Sequence, residues 1–203
     1  MLKKTLQFLA LFLLLVVLPA GSWYYLSRGM DYRRTAIREL ENLRAMFPLS
    51  VRTFEGDTIG EQTLGTAATI VAEVDLQKEG SKRMVGELGK IHTQFDARKD
   101  VLFLLLMAQQ DSSSLATLLK AHDLDDPGQV FLAHRDHAPD FGFRELDKTG
   151  SSAFVAVLDT AGQVRQYYDF RDGSRVKRLV EHITILKPII DREQAVLKRE
   201  KEM

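Results

Sequence analysis

Three rhythms of apolar and polar residues run along this chain. Leu6 to Leu26 carries no charge, and its 21 residues are almost entirely apolar. As a helix they would rise roughly 31 Å, the thickness of a bilayer's hydrocarbon core. A second rhythm repeats every three to four residues. It places Ile37, Leu40, Leu43 and Met46 on one side of a helix over Asp31–Phe47, closed by Pro48. It recurs in Met84, Leu88, Ile91 and Phe95 within Lys82–Arg98, and in Leu115–His122 behind the capping oxygens of Asp111-Ser112-Ser113-Ser114. The third is a set of short apolar runs bounded by turn residues: Thr69–Val74, "DVLFLLLMAQ", "QVFLAH" and "AFVAVLD". Continuous runs of this kind suit strands covered on both faces.

The connections carry their own signals. "SVRTFEGDTIGEQTLGT" reads as a short strand, a turn at Glu55-Gly56-Asp57 and a loop. "TAGQ" is a hairpin turn between "AFVAVLD" and "VRQYYDF", with Val164, Gln166 and Tyr168 expected on one face. Ser174 is placed to cap a last helix through Val176, Leu179, Val180, Ile183 and Leu186, which Pro188 stops. The tail "DREQAVLKREKEM" mixes both charges and reads as a solvated end. Alternating strands and helices followed by a hairpin predict an α/β fold: a thioredoxin-like mixed sheet flanked by helices, with an N-terminal transmembrane helix. The expected division is an anchor over 1–29, a membrane-proximal helix and linker over 30–64, the sheet domain over 65–190 and a charged tail over 191–203.

Composition narrows the chemistry. Twenty-eight basic and 28 acidic residues cancel, so no basic face for nucleic acid is expected. The chain has no cysteine, which removes disulfides, thiol redox and thiolate metal ligands together. Lys3 and Lys4 precede the apolar stretch, and Trp23, Tyr24 and Tyr25 sit at its far end, as interfacial rings do. A cleaved signal peptide, with Phe8–Leu18 as its apolar region and Ala20 and Ser22 before the cut, is the competing reading. Either one exports the rest of the chain.

"FVAVLDTAGQVRQYYDFRDGSRVKRLVEHI", and an opening in which an apolar segment runs into "LPAGSWYYLSRGMDYRR", resemble the Sco/SenC family of membrane-anchored, thioredoxin-like proteins. The resemblance implies work on the copper centre of cytochrome oxidase, with copper held by two cysteines and one histidine. Aligned on "MVGELGKIH", the cysteine positions fall on Gln77 and Ser81, and counting eight residues back from Asp159, which ends the following strand, puts the histidine position on Ser151. All three ligands are thus missing, and the family's metal and thiol chemistry with them. What the resemblance then implies is a binding protein with no catalytic residues and no cofactor. It would sit in a bacterial inner membrane with its domain on the periplasmic side. Its lipid contact would be residues 6–26, and its partner a respiratory oxidase or an assembly factor.

Other clusters bear on function. His134 and His137, with Asp136 and Asp140 beside them, offer an alternative metal site and with it a metal-binding chaperone. Tyr167 and Tyr168, framed by Arg165 and Arg171, offer an exposed aromatic patch for a protein partner. Ser151 and Ser152 lack a nucleophile elbow, and "EGSKR" lacks the glycines of a phosphate loop.

Overall fold

The computed structural model describes residues 7, 11–96, 98–107, 112–148, 150 and 153–186, the side chains of 112, 113 and 115 excepted. Two compact units divide between Glu39 and Leu40. In the first, a π-helical stretch at Leu13–Val17 leads into helix α1, Leu18–Arg38. Leu11 to Leu18 is exposed throughout, as are Trp23, Tyr24, Tyr25 and Leu26. Among the described residues no helix is long and apolar enough to cross a membrane. Residues 6 and 8–10 of the expected span lie outside them.

The second unit is built on a six-stranded mixed sheet. Its strands are β1 (Arg44–Ala45), β4 (Ala68–Val74), β5 (Val101–Met107), β6 (Val130–His134), β7 (Phe154–Leu158) and β8 (Gln163–Asp169). Their order is β1-β8-β7-β4-β5-β6. β4, β5 and β6 run parallel, and the other pairs are antiparallel. A separate hairpin pairs β2 (Ser50–Arg52) with β3 (Thr58–Gly60).

Successive side chains of a strand point to opposite faces, so the apolar runs of β4 and β5 fill two cores at once. Ile70, Ala72 and Val74 join Val101, Phe103, Leu105 and Met107 on one face. Three helices cover it: α3 (Glu79–Phe95), α4 (Ser112–Ala121) and α6 (Gly173–Leu186). The expected stripe of Met84, Leu88, Ile91 and Phe95 is buried there, with Leu119, Leu179 and Ile183 from the other two helices. Each such side chain removed from water contributes roughly 1.5–3 kcal/mol. α3 packs closely on the turn that ends α4, since a Cβ on Gly89 would collide with the His122 carbonyl oxygen.

Val71, Leu102, Leu104 and Leu106 point the other way. They are covered by the β2–β3 hairpin through Val51 and Ile59, and by two single-turn helices, α2 (Glu61–Leu64) and α5 (Phe143–Leu146). The three longer helices of this unit therefore share one face, and irregular segments close the other.

Several expectations are corrected. The helix over Asp31–Phe47 ends at Arg38. Beyond it the backbone amides of Glu41, Leu43 and Met46 donate to the carbonyls of Arg165, Val164 and Gly162, making an edge strand of what reads as a helix. Leu40 and Met46 are buried from that strand conformation. Residues 44–64 thus belong to the sheet domain and are not a linker. The segment after Gly56, which has φ +96°, is a returning strand followed by α2 and not a loop. Asp172, not Ser174, caps α6: its Oδ1 accepts from the Ser174 amide at 2.8 Å and the Ser174 hydroxyl at 2.7 Å. Asp111, Pro188 and the charged tail lie outside the described residues.

The final hairpin holds the largest departure. Val157 pairs with Gln166 but Leu158 pairs with Val164, so Arg165 is an extra residue, a β-bulge. The bulge reverses the alternation. Val164 enters the hairpin-side core and Tyr168 the helix-side core, so they do not share a face.

Candidate functional site

In open α/β sheets ligands collect outside the carboxyl ends of the parallel strands. Here the central such end is that of β4, between β5 and β7, where the chain turns into α3. The turn is held by its own polar groups. Ser81 is fully buried, and its Oγ accepts from the Asp75 amide at 3.0 Å. Asp75 Oδ1 accepts from the Gln77 amide at 3.1 Å, the Lys78 amide reaches the Asp75 carbonyl at 3.0 Å, and Lys78 Nζ lies 3.5 Å from Asp75 Oδ2. Gln77 is exposed.

These residues do not fit copper. Ser81 Oγ is a buried hard oxygen engaged in closing the loop, and Gln77 offers a neutral amide, where Cu(I) favours soft thiolates. Ser151 lies outside the described residues.

Beside the turn opens a cleft of about 280 Å³ between Glu73, Lys78, Arg135, Arg144, Phe143 and Phe154. Glu73 projects from β4 on the hairpin side and meets Arg135 Nη1 at 3.0 Å. A neighbouring hollow of about 340 Å³ shares Glu73, Arg135, Phe143 and Arg144. Arg144 makes no ion pair among the described residues. The guanidinium of Arg171 stands 5.4 Å over the Phe154 ring while gripping Asp169 at 2.6 Å. Hydrogen bonding to Arg171 holds the Asp169 carboxyl below its usual range. The arrangement can bind charged groups and brings no thiol to them.

The wall formed by α5 is tied down from far along the chain. Arg44 Nη1 donates to the Asp140 carbonyl at 2.7 Å, and Arg44 Nη2 lies 3.3 Å from Glu145. The Tyr167 hydroxyl donates to the Phe141 carbonyl at 2.7 Å, and burial pushes that phenol's pKa up. Gly142 has φ +82°, and a Cβ there would lie 3.1 Å from the Tyr167 hydroxyl.

The expected aromatic patch is not assembled. Tyr168 is 1% exposed, its hydroxyl 2.5 Å from His182 Nδ1. Tyr167 is half-buried, and Arg165 pairs with Asp159 at 2.8 Å and donates to the Leu40 carbonyl at 3.2 Å. Both faces of β8 are covered, Tyr168 entering the helix-side core and Tyr167 packing against the hairpin-side core. His134 and His137 do come together, their ring centroids 5.8 Å apart. Asp140 turns to the Gly142 amide and toward Arg44, and Asp136 lies 3.9 Å from Arg135. Among the described residues no three His, Asp or Glu side chains converge as a metal site would need. Glu73, Arg135 and Arg144 were missed from sequence. A lone carboxylate in the apolar run of β4 was the available sign.

No family model and no curated protein matches the chain. Solved structures do. A thiol:disulfide interchange protein from a Bacteroides species superposes with a TM-score of 0.52 at 10% identity, covering 77% of this chain and 97% of that one. A SCO1/SenC family lipoprotein from Bacillus anthracis gives 0.50 at 13% identity, over 68% and 91%. BsSco, described as a member of the Sco family of cytochrome c oxidase assembly proteins, gives 0.52 at 10% identity, over 72% and 96%. At these identities the likeness establishes the thioredoxin-like α/β fold.

Proposed function

We propose that this chain is a membrane-anchored, extracytoplasmic thioredoxin-like protein that works by binding, without copper or thiol chemistry, as an accessory factor in respiratory oxidase assembly. The observation that carries the reading is the turn after β4. A chain with no cysteine fills that corner with a buried serine hydroxyl already engaged to a backbone amide. Catalytic thiol exchange needs a thiolate, and none can form here.

The anchor reading rests on the uncharged run at 6–26 and on the exposed apolar side chains from Leu11 to Leu18. A helix apolar on all sides is stable in lipid and not in water. Tethering would hold the domain at high effective concentration beside membrane partners. The oxidase as partner follows from the Sco/SenC resemblance and from the description of BsSco. The test is crosslinking in native membranes followed by partner identification. Oxidase subunits or assembly factors among the crosslinked proteins are the expected outcome. Their absence, or tight stoichiometric Cu(I) uptake by the purified protein, overturns the reading.

A second reading is favoured by one contact, the 5.8 Å approach of the His134 and His137 rings. It makes the protein a metal-binding chaperone with a relocated site. Metal analysis after dialysis separates the two. Stoichiometric copper or zinc that His134→Ala abolishes supports the chaperone, and metal-free protein ends it.

A further inference from the structure

We propose that the groove between the β2–β3 hairpin, strand β6 and helix α4 docks a basic amphipathic segment of a protein partner. The groove lies at the opposite margin of the sheet from β1 and is independent of the turn after β4. It encloses about 510 Å³, and its floor is apolar, with Ile59, Leu119 and Leu132 among the lining side chains. Every charged residue lining it is acidic: Glu55, Asp57 and Asp125. None of the three makes an ion pair among the described residues. In a chain whose formal net charge is zero, an apolar floor with a rim of one sign selects its occupant. The occupant must present apolar side chains flanked by lysine or arginine.

The acidic rim continues into a second cavity of about 440 Å³. Asp125 is shared, and Asp96, Asp123 and Asp126 are added to it. His92 lines the same cavity, is 5% exposed, and its Nε2 has no hydrogen-bond partner. A buried imidazole nitrogen left unsatisfied beside carboxylates is a polar group awaiting a partner. The groove thus takes the apolar face of the segment, and its rim takes the flanking cations.

The test uses the full chain in zwitterionic nanodiscs and an 18-residue leucine–lysine amphipathic peptide bearing one photoreactive phenylalanine. Crosslinks are mapped by mass spectrometry, so peptide held by lipid does not count. The expected crosslinks fall within residues 53–59 and 124–132. Their yield should fall about tenfold or more in the triple variant Glu55→Gln, Asp57→Asn, Asp125→Asn, because three rim charges each contribute modestly. It should stay within about twofold in a control triple of remote acids, Glu79→Gln, Glu87→Gln and Asp136→Asn. A matching peptide with glutamate in place of lysine should not crosslink at the groove. Equal loss in both triples, crosslinks spread over the surface, or a glutamate peptide that binds equally well would overturn the proposal. So would a dimer in which a second copy covers Leu132.

Discussion

The two faces of the sheet are built on different principles. On the helix side, periodic apolar stripes from α3, α4 and α6 lie on strands whose own apolar residues face them. On the hairpin side, short pieces from four parts of the chain are assembled, and single polar ties fix where they lie. Arg44 reaches the Asp140 carbonyl across 96 positions, and Arg165 reaches the Leu40 carbonyl across 125. One face depends on area, which is spread over many residues. The other depends on a few bonds, each irreplaceable in position though modest in energy. The candidate cleft belongs to the second face, so its shape rests on those ties.

The largest loss of stability is expected on the helix side. Phe103→Ala should cost about 3–5 kcal/mol, because a fully buried ring leaves a cavity beside α3. Urea unfolding should show it, with a matching loss of the midpoint. On the hairpin side, Gly162→Ala should cost about 1–3 kcal/mol. Gly162 has φ +68°, and a new Cβ would meet Phe47 Cγ at 2.3 Å. The edge strand that donates to the Gly162 carbonyl should loosen with it. Tyr167→Phe should cost about 0.5–1.5 kcal/mol for one hydrogen bond. Its signature is regional: amides of 138–147 should exchange faster with deuterium while those of α3 stay unchanged. If α3 responds equally, the two faces are not separable.

The smallest effect concerns acid. Arg171 holds the Asp169 carboxyl below its ordinary 3.8, and Ser174 does the same for Asp172 through hydrogen bonds. A carboxyl whose folded pKa is depressed adds stability above its unfolded pKa and loses it as pH falls through the folded value. Stability should therefore decline from about pH 5 downward, less steeply in Asp169→Asn than in the parent. Denaturant midpoints measured across that range check it.

The helix side was legible in the sequence because its information is local. Met84, Leu88, Ile91 and Phe95 repeat at the helical period, and β4 and β5 are apolar at every position but Thr69 and Glu73 because both faces are covered. The hairpin side was not. Leu40, Leu43 and Met46 stand three apart and mimic a helix, yet the amides of Leu43 and Met46 donate to carbonyls about 120 residues away. Val164 and Tyr168 were put on one face by strict alternation, which a single bulged residue reversed. The turn after β4 could be located from its motif. The cleft beside it joins Glu73 to Arg135, 62 positions apart, and no local spacing encodes that pair.

A six-stranded sheet has two margins, and exposed margins invite strands from neighbouring chains. At β6 the hairpin intrudes: Thr53 bridges Ala133, and the Phe54 amide donates to the Leu132 carbonyl. At the far side β1 is only two residues long. Cross-chain sheet growth has little backbone to grip at either place. Copies crowded together on a surface should remain separate, and any visitor at β6 must be recognised by its side chains, not by adding a strand.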